Sequence, residues 1–550
     1  MNCFLLFTLY FLLSTQFMSV DEIEPGMTGY GLSVFKGTKI DTFQVEIIDI
    51  MRNTLPKGDV ILARVSGKVV DTAGIISGMS GSPIYLYEPN TEYRTSKLIG
   101  ALAYSYGFFT KESLAGITPI HEMLNPPSAG YTPPGEFSPL KIPLTCPGLP
   151  DEMFKELEKE FPCFNLLKVH GSSQILNDSI LPEPGSSLGI PLVQGDVVWF
   201  GVGTCTYREG NKVWGFGHPM ATLGKTELPM TAGYIYSVIP SSYHSYKMSA
   251  PTQVIGTIKQ DNITGIAGVI GKTPDLIDFN IKISSSPMSV SDGDAHLLQS
   301  HRTSKEKFHY QIVKEKTFLP LLFKSLFFNS IYTGFKGTGD LTAEINLEIK
   351  GSRDFYFKNL YTGTPTEISS SFSKVFDIIQ NNPFQKIEIE EISIDLLPNN
   401  TIKLAKIEEL WADQKEVNAN LPLNLLISLS TYQQGIVKKR IPIIIPLWAK
   451  KGELWIKVEN GASARNNTKS QLRTLDEFIR WLAQAPKDNE LVLTFSQKGQ
   501  SGWSAGEEFQ ALPPSKASFI KGKEKSEIFK LRIPTEWVIT QEKSIELEVK

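Results

Sequence analysis

The chain holds 550 residues and 61.2 kDa, more than one hydrophobic core organises, and about three domains are expected at roughly 100–200 residues each. Its 55 Lys+Arg against 58 Asp+Glu leave a net charge of −3, which excludes recruitment of nucleic acid by bulk charge. The 41% hydrophobic content excludes wholesale disorder, and 43 Gly and 34 Pro with short apolar runs favour strands and turns over long helices.

Residues 3–13 (CFLLFTLYFLL) form an apolar run. It is too short for a bilayer, which needs roughly 20 residues, and it fits the core of a secretory signal peptide. A signal over residues 1–19 is therefore expected, although no Lys or Arg precedes the run. The product would be exported: periplasmic, secreted or cell-envelope associated. No later segment reads as a membrane span. Once Cys3 leaves, Cys146, Cys163 and Cys205 remain, an odd set that is no disulfide framework. Cys146 and Cys163 flank a helical pattern and could pair. Cys205 reads as buried and inert. No Cys/His spacing suggests a metal, and no cofactor is expected.

Residues 20–125 alternate strands and turns and read as a first barrel. Residues 126–188 are rich in Pro and Gly and read as a linker with one short helix at 151–161. Residues 189–285 form a second strand-rich block, with a hairpin across Glu209, Gly210 and Asn211. Residues 300–400 read as β-rich, with a mixed, partly helical start. Residues 401–550 read as a sandwich-like domain with one helix, which opens on the capping pair Thr474 and Glu477. The fold class is thus mainly β.

The sharpest local signal is GMSGSPI at residues 78–84. An acyl-transfer serine needs a tight turn and backbone N–H groups aimed at the developing oxyanion. Glycines two before and one after Ser80 permit that turn. The N–H groups of Gly78 and Ser80 would form the oxyanion hole. The bland alternative is a glycine-rich hairpin turn without chemistry. The segment after the turn favours chemistry, because a strand, a hairpin and a second strand succeed it, as in chymotrypsin-like serine peptidases. Ala103, Tyr104, Ser105 and Tyr106 would then offer an edge to which substrate adds as an antiparallel strand. A nucleophilic Ser needs a base. His121 falls where the closing strand turns into a helix and reads as structural. His218, in WGFGHPM at residues 214–220, stands at a strand end and is the better candidate.

These stretches resemble the SpoIVB-type serine peptidases. The resemblance rests on residues 43–49 (FQVEIID), 74–84 (GIISGMSGSPI), and 201–207 (GVGTCTY) with 214–218 (WGFGH). It implies Ser80 as nucleophile and His218 as general base, acting on protein or peptide substrates. It also implies a chymotrypsin-like double β-barrel, here in circularly permuted order, because the family's histidine hairpin precedes its serine motif. Val65 and Ser66 occupy the region of the family acid. A chymotrypsin-like layout places the acid after the histidine, at Asp261. Asp71 and a dyad without acid stay open. A non-catalytic or self-processing scaffold is the rival reading.

Overall fold

The structure, a computed structural model, describes residues 16–55, 58–89, 95–106, 112–126, 137–160, 166–172, 174–284, 306–335, 340–399, 401–468, 472–497, 502–504, 507–509 and 527–550. It is mainly β, as the turn-rich composition implies. The chain divides into two units, Met1–Phe279 with His309–Asn329, and Asn280–Phe308 with Ser330–Lys550.

The first unit contains two closed barrels. The first is built from β1 (Thr28–Lys36), β2 (Lys39–Leu55), β3 (Gly58–Ser66), β4 (Ser82–Tyr87), β5 (Ser96–Tyr106) and β6 (Leu114–Pro119). The neighbour order β4-β1-β2-β3-β6-β5, with β4 also paired to β5, closes the circuit. Then come β7 (Phe137–Pro139), β8 (Ile142–Thr145) and β9 (Leu166–Val169). The second barrel comprises β10 (Ser187–Gly195), β11 (Trp199–Glu209), β12 (Lys212–Gly215), β13 (Gly224–Ile239), β14 (Tyr246–Asn262) and β15 (Gly265–Ile270). It closes in the order β10-β13-β14-β15-β12-β11, with β10 also paired to β11. Counted from its own first strand, each barrel therefore runs 1-2-3-6-5-4. Within each six-stranded circuit every strand pairs on both sides. Branched and small residues fill the first interior, among them Val45, Ile47, Ile61, Ala63, Ile84 and Ile117. Val34 of β1 clusters with Val198, Phe200 and Val202 of the second barrel. That cluster joins the two barrels.

The fold goes beyond the sequence expectation. The segment from 126 to 188 is more than a linker. Its helix is present at Asp151–Glu160, but β8 pairs with β11 and β9 pairs with β8, so the segment extends the second sheet. Residues 16–18, inside the segment expected as a signal, join the first unit. Residues 1–15 lie outside the described residues, but Phe17 and Met18 are buried. Leu98 N–H donates to the Gln16 carbonyl and Met18 N–H to the Leu98 carbonyl, each at 3.1 Å. Phe17 packs edge-on against Tyr207, with ring centroids 5.2 Å apart. Cys146 is a buried free thiol, as is Cys205; Cys163 lies outside the described residues. Among the described residues, no helix is long and apolar enough to cross a membrane.

The second unit pairs the strands Leu341–Gly351, Phe355–Gly363 and Ile389–Asn399. Between them lies a helix, Pro365–Gln380, whose capping box joins Thr364 and Glu367. The β-rich reading of 300–400 omits it. Beyond residue 401 a four-stranded and a five-stranded sheet share one core that contains Ile407, Leu425 and Ile427 with Leu454, Ile456, Leu493 and Phe495. That is a sandwich. The helix Leu475–Ala483 is capped by the Thr474 side chain.

Phe17→Ala is expected to lower stability by about 3 kcal/mol, because it removes a buried ring between the two barrels' side chains. Denaturant unfolding measures this, and an unchanged midpoint would show that residues 16–18 are dispensable to the first unit.

Candidate active site

Ser80 sits on the turn between β3 and β4. Gly78 and Gly81 take φ of +99° and +93°, which L residues with a side chain avoid. A Cβ on Gly81 would collide with the Thr204 carbonyl and the Phe216 backbone, so that position needs glycine twice over.

The second barrel grips this turn. Thr204 N–H donates to the Ser80 carbonyl at 2.8 Å. Thr204 Oγ1 donates to the Gly78 carbonyl at 3.0 Å, and Thr206 Oγ1 donates to the Gly81 carbonyl at 2.8 Å. On another side, Lys247 N–H donates to the Ser77 carbonyl at 3.1 Å, and Ser77 N–H to the Ser245 carbonyl at 2.8 Å. Within the turn, the N–H groups of Met79, Gly81 and Ser82 donate to the carbonyls of Ile76, Leu102 and Met79. Among the described residues, no acceptor meets the N–H of Gly78 or of Ser80. A peptide's N–H points opposite to its carbonyl. Because the Ser77 carbonyl is bonded to β14, the Gly78 N–H faces away from β14.

His218 follows β12 across Phe216 and Gly217, which take φ of +67° and +68°. Left-handed backbone at a phenylalanine is strained and persists only where neighbours hold it. Here Thr118 Oγ1 donates to the Gly217 carbonyl at 2.6 Å, and a Cβ on Gly217 would press on the side chains of Ala101 and Ala103. The histidine segment thus packs directly on the serine turn and on β5.

Both candidate side chains are fully buried, at 0% exposure. Among the described residues, neither Ser80 Oγ nor His218 Nε2 has a hydrogen-bond partner. His218 Nδ1 lies 2.8 Å from the Pro219 carbonyl oxygen. A carbonyl only accepts, so Nδ1 carries the proton and Nε2 presents a lone pair. Burial pushes the imidazole down to about 4, so it is neutral at pH 7.

Asp261 does not orient the imidazole. Its carboxylate accepts N–H bonds from Met220 and Ala221 at 2.8 Å and from Leu223 at 3.1 Å. It fastens the loop after His218, where Thr222 also has positive φ, at +56°. Burial pushes its carboxyl up, and the backbone donors pull it back. Asp71 accepts from Gly67 N–H at 3.0 Å, a local turn cap. Neither acid is bonded to the His218 ring, whose Nδ1 is held by a backbone carbonyl instead. Of the supposed substrate edge, Ala103 and Tyr104 are buried, and the chain's own β7 pairs with Tyr104, Ser105 and Tyr106.

One participant escaped the sequence reading. Lys247 is fully buried. Its Nζ donates to Ser33 Oγ at 2.9 Å and to Thr204 Oγ1 at 3.5 Å. Its stem lies under Gly78, and burial brings its amine down to about 7. Parity along β14 puts it on the inward face, but no motif marks it. Among the described residues, no cluster of His, Cys, Asp or Glu could hold a metal.

One barrel thus carries a serine turn with two unpaired N–H groups, and the other grips that turn and carries the buried His218. Residues 14–118 match the family model described as SpoIVB peptidase S55. The first barrel, with Ser80 in it, is therefore similar to the peptidases of that family; His218 and the second barrel lie beyond the matched residues. No curated protein and no solved structure matches the chain.

The buried amine gives a signed pH effect. The Lys247 pKa is near 7 when folded and near 10.5 when unfolded, so the unfolded chain binds more protons between these values. Stability therefore rises from pH 7 to 10.5. Lys247→Met is expected to flatten that rise and to be the more stable protein at pH 7, read by denaturant unfolding across the range. A wild-type profile already flat over this window would contradict the burial of the amine among neutral partners.

Proposed function

We propose that the protein is an exported serine endopeptidase that hydrolyses peptide bonds through Ser80 and His218. The carrying observation is a buried serine turn with two unpaired N–H groups, gripped by the barrel that also carries a buried neutral imidazole with Nδ1 committed to the Pro219 carbonyl. In this reading, Ser80 Oγ attacks the scissile carbonyl carbon while His218 Nε2 takes the hydroxyl proton. The carbonyl oxygen becomes an oxyanion and accepts from Gly78 and Ser80 N–H. The tetrahedral species collapses as His218 returns the proton to the leaving amine. Water, deprotonated by Nε2, then attacks the acyl-serine, and the acid leaves as Ser80 recovers its proton.

The matching circuits of the two barrels support a chymotrypsin-like arrangement, with the serine barrel first and the histidine barrel second, a permuted order. The site needs no metal or cofactor in this mechanism. Asp261 acts as a positioning residue, because it holds the loop that carries His218. The family match supports peptidase chemistry over a scaffold.

A serine-directed fluorophosphonate is expected to label Ser80 and to leave Ser80→Ala unlabelled; equal labelling of that variant would sink the assignment. His218→Gln is expected to lower peptide hydrolysis by about 10³-fold or more, as loss of a general base does. Asp261→Asn turns an acceptor of three N–H bonds into a poorer one. It is expected to lower kcat more than binding, without altering which serine is labelled.

A further inference from the structure

Ser80 and His218 are both buried, and the edge of β5 beside the serine turn is already paired within the chain. On one edge, β5 pairs with β6 from Gly100 to Ser105. On its other edge it pairs with β4 only as far as Leu102, opposite Ser82. Beyond that point β4 has turned away into the Ser80 turn. The remainder of this edge is filled by β7, antiparallel, with Tyr104 opposite Pro139, Ser105 opposite Ser138 and Tyr106 opposite Phe137. The register against β6 slips between Leu102 and Tyr104, and this bulge sets successive carbonyls to work on the same edge. The Leu102 carbonyl accepts from Gly81 N–H at 2.8 Å, and the Ala103 carbonyl accepts from Leu140 N–H at 2.9 Å. Adjacent carbonyls of β5 therefore anchor the serine turn and Leu140. The Leu140 side chain is 4% exposed and belongs to the apolar cluster that holds Ile76, Met79 and Leu102.

We infer that residues 137–140 occupy in cis the strand position of the substrate, with Leu140 in the pocket for the side chain just before the scissile bond. This rests on the peptidase reading above and deepens it in two ways. It names the substrate class: extended peptides that add an antiparallel strand to residues 103–106 and place a leucine-like side chain beside Met79. It also names the reason the site is closed: an external peptide must displace β7. A lysine or aspartate in that apolar pocket would be buried without a counter-charge and is rejected.

The test uses the full chain and a fluorophosphonate probe, with the labelled residue located by mass spectrometry. Leu140→Asp expels the side chain and is expected to label Ser80 at least tenfold faster than wild type. The capped peptide Phe-Ser-Pro-Leu, added in excess, is expected to slow labelling of the variant back towards the wild-type rate. Leu140→Ala keeps the backbone bonds and guards against a folding defect; it is expected to label severalfold faster. Equal Ser80 labelling rates in wild type and in a folded Leu140→Ala chain would overturn the inference and leave the peptidase reading standing. Absence of Ser80 labelling in every form removes that reading and this inference with it. With Leu140→Ala as enzyme, Phe-Ser-Pro-X-Lys peptides are expected to be cleaved at least 100-fold faster for X = Leu than for X = Asp or Lys. Equal kcat/KM across the series overturns the pocket assignment.

Discussion

The candidate site depends on one clamp: two threonines of β11 in the second barrel hold three carbonyls of the serine turn in the first. Thr204 takes the carbonyls of Gly78 and Ser80, and Thr206 takes that of Gly81. Each bond fixes the peptide plane that carries the following N–H, while the planes of the Gly78 and Ser80 N–H groups are fixed by the bonds from Lys247 N–H to the Ser77 carbonyl and from Ser82 N–H to the Met79 carbonyl. The donors of Gly78 and Ser80 are left facing away from protein acceptors, an arrangement that would be costly in a buried turn with no ligand to serve. The same grip explains the motif's glycines. With Thr204 and Phe216 drawn against the turn, no Cβ fits at Gly81.

The histidine side is held by a different device. Phe216 and Thr222 both adopt left-handed backbone on either side of His218. Strain of this kind is on the order of 1–3 kcal/mol per residue and needs compensation nearby. Asp261 supplies it through three backbone donors, and Thr118 fastens Gly217 from the first barrel. The carboxylate therefore acts on the loop and only through it on the ring. A backbone carbonyl sets the tautomer, the task that an acid performs in a triad.

Local chemistry decides which of these features are legible in the sequence. Ser80 shows because its turn needs glycines at fixed offsets, and His218 shows because it ends an apolar strand in Gly-His. Asp261 stands out only as an acid placed after the histidine, where a chymotrypsin-like layout expects one, yet its partners are N–H groups, which nearly every residue carries and no letter announces. Lys247 is invisible for a related reason: a lysine on alternating strand sequence reads as solvated, and only the closure of β14 over the Ser77 turn buries it. The helix Pro365–Gln380 has its own signal in Thr364 and Glu367 and the stripe Ile368, Phe372, Val375, Phe376 and Ile379. Strand-like neighbours on both sides obscure it. Residues 137–139 read as linker because the segment around them is rich in Pro and Gly; Pro139 is tolerated because β7 is a short edge strand.

Burial also governs how good a base His218 would be. A pKa near 4 makes the imidazole neutral over the whole physiological range, but a base that weak draws little on the serine proton. The depression comes chiefly from desolvation, since the Pro219 carbonyl works in the opposite direction. Any event that admits water or a polar substrate to the site removes part of that desolvation and returns the imidazole towards its ordinary value of 6.5. An oxyanion forming beside Ser80 adds a negative charge near the ring and raises it further. Occupation of the substrate edge by the chain itself would thus restrain the enzyme twice, once by excluding the peptide and once by keeping the base dry.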